Sequence, residues 1–304
     1  MCELERGYRS ENCTPPESPV LEIEGLTIYA QEAKKKNLLI NEVSLQIRPG
    51  ETLGLVGESG SGKSVTASAV LGLMSNGLHI GGGQILFKGE NILSWSEKQR
   101  RKLRGKDMGL VFQDYQGSFT PFLKVGKQLI EALRSHQKVS YQEAKEIVMQ
   151  WLGRADLPSE RVFNSYPFQL SGGQLQRAAL AGAMMLKPAL LIADEPTTAL
   201  DVLTGEKVLD LLAELQGQTG CAILLITHDL RHVLKRADTI AVMKEGQIVE
   251  IDRAEKIRYS PQHSYTQMLL KARPFLSEIH DRMAQNEIDR KDSEDSCCAE
   301  GGVA

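Results

Sequence analysis

From Val20 to Ala30 apolar and polar residues alternate, the period-two pattern of a half-buried antiparallel strand. Residues 38–48, LLINEVSLQIR, continue the pattern up to the turn at Pro49-Gly50. Three later runs are short and wholly or mainly apolar: Thr52–Val56, Leu190–Ala193 and Ala222–Ile226. The first reads as a buried strand, and the other two predict parallel strands buried on both faces. Met108–Phe112 adds a further strand, and residues 127–157 carry helical spacing through Leu129, Ile130, Leu133, Ile147, Val148, Trp151 and Leu152. Between the runs at 190 and 222, Val208, Leu209, Leu211, Leu212 and Leu215 mark an amphipathic helix, so strand, helix and strand form a crossover unit. The triplet Gly81-Gly82-Gly83 reads as a hairpin turn. An α/β fold is predicted.

Composition narrows the class. The chain has 304 residues, 41% of them hydrophobic, with a net charge of −3, which suits a folded protein and not a general nucleic-acid binder. No apolar run approaches the roughly 18 residues of a membrane helix, and the N-terminus lacks the order of a signal peptide. The five cysteines sit at no metal-ligand spacing, which suits a reducing cytoplasm. Residues 1–19 read as a loose lead-in. Residues 281–304 are net −4 and predict a solvated acidic tail whose deletion leaves stability unchanged; Cys297 and Cys298 within it are expected to be exposed thiols. The basic run Lys98, Arg100, Arg101, Lys102, Arg104 and Lys106 reads as a solvated helix face.

Chemistry concentrates in a few places. Gly57-Glu58-Ser59-Gly60-Ser61-Gly62-Lys63-Ser64 fits G-x-x-x-x-G-K-[ST] directly after a predicted strand. There, glycines let several N–H groups converge on phosphate oxygens, and a helix N-terminus adds partial positive charge. Lys63 would reach the β- and γ-phosphates and Ser64 would bind Mg²⁺. An ordinary Gly/Ser turn is the plain alternative, and the complete motif in its strand–loop–helix context outweighs it. Asp194 and Glu195 close an apolar strand, where ligands sit in open α/β sheets. Asp194 is placed near the metal, and Glu195 is the candidate general base for an attacking water. Leu170-Ser171-Gly172-Gly173-Gln174 precedes a helical run and offers a hydroxyl and backbone N–H groups at its start.

That last motif resembles the signature of the nucleotide-binding subunits of ABC transporters, and the resemblance covers about residues 20–275. Gln113 is similar to the family's Q-loop glutamine, Asp194-Glu195-Pro196 to its Walker B end, Ala199-Leu200-Asp201 to its D-loop and His228 to its switch histidine. Tyr29 is similar in place to the aromatic residue that stacks on adenine. Phe112-Gln113-Asp114 with Ser118, Pro121 and Val125–Gln128, and Ser260–Thr266 with Leu269-Leu270, resemble the oligopeptide/dipeptide/nickel importer branch. Ser264 stands where that branch has proline, and Tyr115, Phe119 and Thr120 replace its usual Pro and Leu-Asn. Tyr166-Pro167-Phe168-Gln169 looks more like its nickel and metal-opine members.

The resemblance implies a RecA-like phosphate-loop core with an antiparallel β-subdomain, a helical subdomain over about 115–187, and a C-terminal extension over about 255–275. It implies ATP and Mg²⁺ as cofactors, with Ser64, Gln113 and Asp194 around the metal. Glu195 and His228 would carry hydrolysis. Ser171, Gly172, Gly173, Gln174 and Asp201 would meet nucleotide across a head-to-tail dimer, expected to be a heterodimer with a second ATP-binding subunit. Two separate transmembrane permease subunits, an upstream solute-binding protein and a peripheral place on the cytoplasmic face of the cell membrane follow from the same likeness. Phe119, with Tyr115, Pro121 and Phe122, is expected to meet the permease. A soluble ABC ATPase acting on nucleic acid or ribosomes is the alternative; such chains carry two cassettes or a long coiled coil, and this one has a single cassette with no long heptad run.

Overall fold

Two sheets organise the chain, and one strand-rich layer supports the other. The computed structural model describes residues 18–32, 35–114 and 116–272; the expectations for Tyr115, the acidic tail and nearly all of the lead-in lie outside them. The first sheet is antiparallel. It joins β1 (Leu21–Glu32) to β2 (Lys35–Ile47) on one side and to β4 (Leu78–Phe87) on the other, with the short β5 (Glu90–Asn91) at its edge. The second sheet has six strands in the order β10-β9-β3-β8-β7-β6. Its members are β3 (Thr52–Val56), β6 (Met108–Val111), β7 (Leu190–Asp194), β8 (Ala222–Thr227), β9 (Thr239–Lys244) and β10 (Gln247–Arg253), and all pair in parallel except β10.

Strand periodicity explains how both faces of the second sheet are buried. Leu53 and Leu55 of β3, Leu190 and Ile192 of β7, and Leu224 and Ile226 of β8 face a core shared with the antiparallel sheet and α1 (Lys63–Leu71). Val56, Leu191, Ala193, Ile223 and Leu225 point the opposite way into a core shared with helices. That is why these strands read as continuous apolar runs. Their parallel crossover is made by α7 (Val202–Thr219), which buries Val208, Leu209, Leu211, Leu212 and Leu215, as its spacing predicts. The basic run lies largely in α2 (Glu97–Leu103), where Lys98, Arg101 and Lys102 are solvated as expected, whereas Arg100 and Arg104 are half-buried and Arg104 reaches the Leu71 and Gly72 carbonyls.

Between β6 and β7 the chain forms α3 (Val125–His136), α4 (Tyr141–Arg154), α5 (Ser159–Asn164) and α6 (Gly172–Met184). The periodic segment 127–157 is therefore two helices. Ser140 starts the second with a capping box, its hydroxyl accepting the Glu143 N–H while the Glu143 carboxylate accepts the Ser140 N–H. The chain closes through α8 (Leu230–Arg236), α9 (Ala254–Tyr259) and α10 (Ser264–Ala272). No helix among the described residues is long and apolar enough to cross a membrane.

Two expectations are corrected. Gly81-Gly82-Gly83 is not a turn; it lies inside β4, opposite register shifts at Gly25 and Thr27 of β1. Gly83 has φ 86°, and a Cβ there would sit 2.4 Å from the Gly25 carbonyl oxygen, so the triplet lets two bulged strands approach closely. Phe119 is not a free loop residue. It is 7% exposed and packs in the helical core, whereas Phe122 three residues later is 82% exposed.

Candidate functional site

The loops after β3, β6, β7 and β8 leave the same edge of the second sheet, so residues far apart in sequence converge there. After β3, the chain turns through residues 57–62 into α1. Gly62 caps that helix at φ 108°, a conformation that suits glycine, and a Cβ there would lie 2.5 Å from Ile40 Cδ1. Lys63 is buried and folds back over the loop: its Nζ donates to the Gly57 and Glu58 carbonyl oxygens, each at 2.8 Å. Burial lowers the Lys63 pKa, while Glu195, Asp194 and Glu58 oppose that shift. The Lys63 amine is thus tied to the loop backbone on the side where β7 ends in Asp194 and Glu195.

β7 delivers Asp194 to Ser64, whose hydroxyl donates to Asp194 Oδ1 at 3.2 Å. Burial raises the Asp194 carboxyl, and the Glu195 charge adds to the rise, against the Ser64 bond and the Lys63 charge. A divalent cation would relieve exactly this crowding of oxygen donors, and hydroxyl plus carboxylate is a hard-oxygen set that suits Mg²⁺. Glu195 follows with φ 47°, a turned-up backbone unusual outside glycine. Its Oε2 accepts the Thr198 hydroxyl at 2.7 Å and lies 3.2 Å from His228 Nδ1, which follows β8. Burial alone would raise the Glu195 pKa, but Thr198, His228 and Lys63 outweigh it and hold the carboxyl below its ordinary value.

One cleft of about 590 Å³ collects Gly57, Glu58, Ser59, Gly60, Gly62, Lys63, Ser64, Gln113, Glu195 and His228. That volume lies within the usual range for small-molecule sites. The signature-like residues stand elsewhere. Ser171, Gly172, Gly173 and Gln174 line a separate cleft with Asp201 and Thr204. There Ser171 and Gln174 form a capping box at the start of α6, and Asp201 caps α7 by accepting the Thr204 N–H at 3.0 Å. Tyr29 also stands apart from the phosphate cleft, its ring stacked on His79 at 5.6 Å and under Lys36 Nζ at 4.6 Å.

Several site residues escaped the sequence. Thr198 gives no motif of its own but orients Glu195. The fully buried Gln176 donates to the Pro196 carbonyl at 2.7 Å and so ties the signature helix to the turn after Glu195. Leu39 and Leu269 form apolar walls of the main cleft. Only their positions in the fold reveal these roles.

Comparison with known proteins identifies the family. The ABC transporter family model matches residues 40–198. The chain is 40% identical over 251 residues to the metal-staphylopine import system ATP-binding protein CntD of Staphylococcus aureus, covering 82% of this chain and 92% of that protein. It is 43% identical over 260 residues to the oligopeptide transport ATP-binding protein OppD of Bacillus subtilis, covering 84% of this chain and 72% of that protein. Among solved structures, the dimeric post-hydrolysis state of the ATP-binding cassette MJ0796 bound to ADP and Pi superposes with a TM-score of 0.69 at 28% identity, over 77% of this chain and 98% of that one. Matched by the family model and by importer subunits at 40–43% identity over most of its length, the chain belongs to the ABC transporter family as an ATP-binding subunit.

Proposed function

We propose that the chain hydrolyses ATP to drive import of a small solute through separate permease subunits on the cytoplasmic face of the cell membrane. The observation that carries this reading is the Glu195 carboxyl, fixed by Thr198 and His228 in one cleft with Lys63 and Ser64. The phosphate loop and Lys63 bind the phosphates, and Glu195 accepts a proton from the attacking water. Ser64 and Asp194, with Gln113 nearby, would hold Mg²⁺, which when bound neutralises charge on the phosphate oxygens.

The separation of the two clefts supports a composite site. Nucleotide on one subunit faces Ser171, Gly173 and Asp201 of another, so ATP favours a closed head-to-tail dimer and its loss reopens it. The second subunit is a distinct ATP-binding chain, and a solute-binding protein delivers cargo to the permeases. For the permease contact, Phe122 replaces Phe119. It borders a crevice with Tyr141 and Tyr166, and the Phe168 ring, 71% exposed, stacks on Tyr166 at 5.6 Å. Exposed aromatics grouped in this way suit a protein interface.

For the solute we rank metal chelates before short peptides, because Tyr166-Pro167-Phe168-Gln169 resembles the metal-importing branch and one relative at 40% identity is a metal-staphylopine importer subunit. A deletion strain should accumulate less nickel or chelated metal while labelled-peptide uptake persists. Lost peptide uptake with normal metal accumulation would reverse the order.

A further inference from the structure

One contact to the phosphate loop comes from far along the chain. The Gly57–Glu58 peptide is gripped at both ends: its carbonyl oxygen accepts Lys63 Nζ at 2.8 Å, and its N–H donates to the Tyr265 hydroxyl at 3.2 Å. Tyr265 lies in α10, 207 residues away in sequence. Its ring is buried and lies under Lys244 Nζ at 5.2 Å, at the end of β9. The turn that presents it is itself fixed. The Glu250 carboxylate of β10 accepts the N–H groups of Gln262 and His263 at 2.7 and 3.0 Å, and His263 Nδ1 accepts the Tyr265 N–H at 3.1 Å. One helical turn beyond, Leu269 walls the same cleft.

A peptide group bonded at both its oxygen and its N–H is held in one orientation, and each bond polarises the other. Here that orientation decides where the carbonyl that anchors Lys63 points. We infer that Tyr265 is a positioning residue of the phosphate loop, its hydroxyl holding the Gly57–Glu58 peptide so that Lys63 is presented for nucleotide phosphates. Helix α10 thereby tunes phosphate affinity without touching nucleotide. This inference rests on residues 57–64 being the phosphate loop.

Tyr265→Phe in the full-length chain removes only the hydroxyl and keeps the packed ring. The expected result is about fivefold weaker binding of both ATP and inorganic tripolyphosphate, the loss of one neutral hydrogen bond. KM for ATP should rise by a similar factor while kcat at saturation stays within about twofold, whereas a merely destabilised fold would lower the active fraction and leave KM in place. Unchanged affinity for both ligands would overturn the inference. Hydrogen exchange on the wild-type chain gives a test that does not depend on the variant folding: without nucleotide, the Glu58 amide should be protected, and free exchange there would overturn the inference. Failure of the wild-type chain to bind ATP at all would instead strike at the phosphate-loop reading.

Discussion

His228 Nδ1 lies 3.2 Å from Glu195 Oε2, so two residues at the ends of neighbouring strands share one contact. The same carboxylate oxygen accepts Thr198 at 2.7 Å, which leaves Oε1 as the atom with capacity to take a proton from water. His228 therefore orients the proposed base and helps lower its pKa. His228→Ala should keep ATP affinity and lower turnover roughly ten- to hundredfold, the worth of about 1.5–3 kcal/mol for a hydrogen bond to a charged group. Turnover within twofold of wild type in a steady-state phosphate-release assay would remove His228 from the mechanism.

The two phenylalanines after Gln113 should behave oppositely. Phe122→Asp places a charge on an exposed ring position, so the isolated chain should lose no more than about 0.5 kcal/mol of stability and still bind ATP. Solute uptake should fall, because the charge would be buried unpaired in the permease contact. Phe119→Asp buries that charge in the chain's own core and should cost roughly 3–5 kcal/mol or more. Denaturant melts of both variants, set beside uptake at matched expression, separate the cases. Retained uptake in Phe122→Asp would refute the placement.

Acid stability should reflect Glu206, which joins α7 to α8 through Arg236 Nη2 at 2.6 Å and Lys235 Nζ at 2.8 Å. The Arg236 hydrogen bond foremost, with Lys235, pulls its pKa from 4.5 to about 2. A depressed carboxyl contributes stability above its unfolded value, and that contribution fades as pH falls from about 4.5 through about 2. Glu206→Gln should thus be less stable than wild type at pH 7, on the order of 1 kcal/mol because the cluster is part solvated. The gap should close towards pH 2 in pH-dependent melts. A gap constant with pH would assign the loss to packing instead.

How much of this was legible follows from the range of each interaction. The strands of the second sheet were readable because burial on both faces leaves unbroken apolar runs, and the residues at their ends were readable because local motifs place them there. Gly81-Gly82-Gly83 misled because a glycine run signals a turn locally, whereas its cause here is the Gly25 backbone across the sheet. Phe119 and Phe122 are alike in sequence, and only packing by α3–α6 separates them. Ser171 and Lys63 were both readable, but that they line different clefts of one chain was a property of the fold. Tyr265 belongs locally to the pattern Ser260–Thr266, which says nothing of the phosphate loop. Its contact with Glu58 spans the whole domain and leaves no local trace.

In the proposed mechanism Glu195 activates water for ATP hydrolysis in a site closed by a second subunit. Lys63→Ala provides the contrast, since losing the buried ammonium should weaken nucleotide binding itself. The direct measurement is steady-state ATP turnover of Glu195→Gln, with ATP affinity and oligomeric state measured on the same preparation. Glu195→Gln should retain ATP affinity, accumulate a closed dimer and lose turnover on the order of 10²–10⁴-fold. Near-wild-type turnover in Glu195→Gln, with ATP bound normally, would contradict the mechanism.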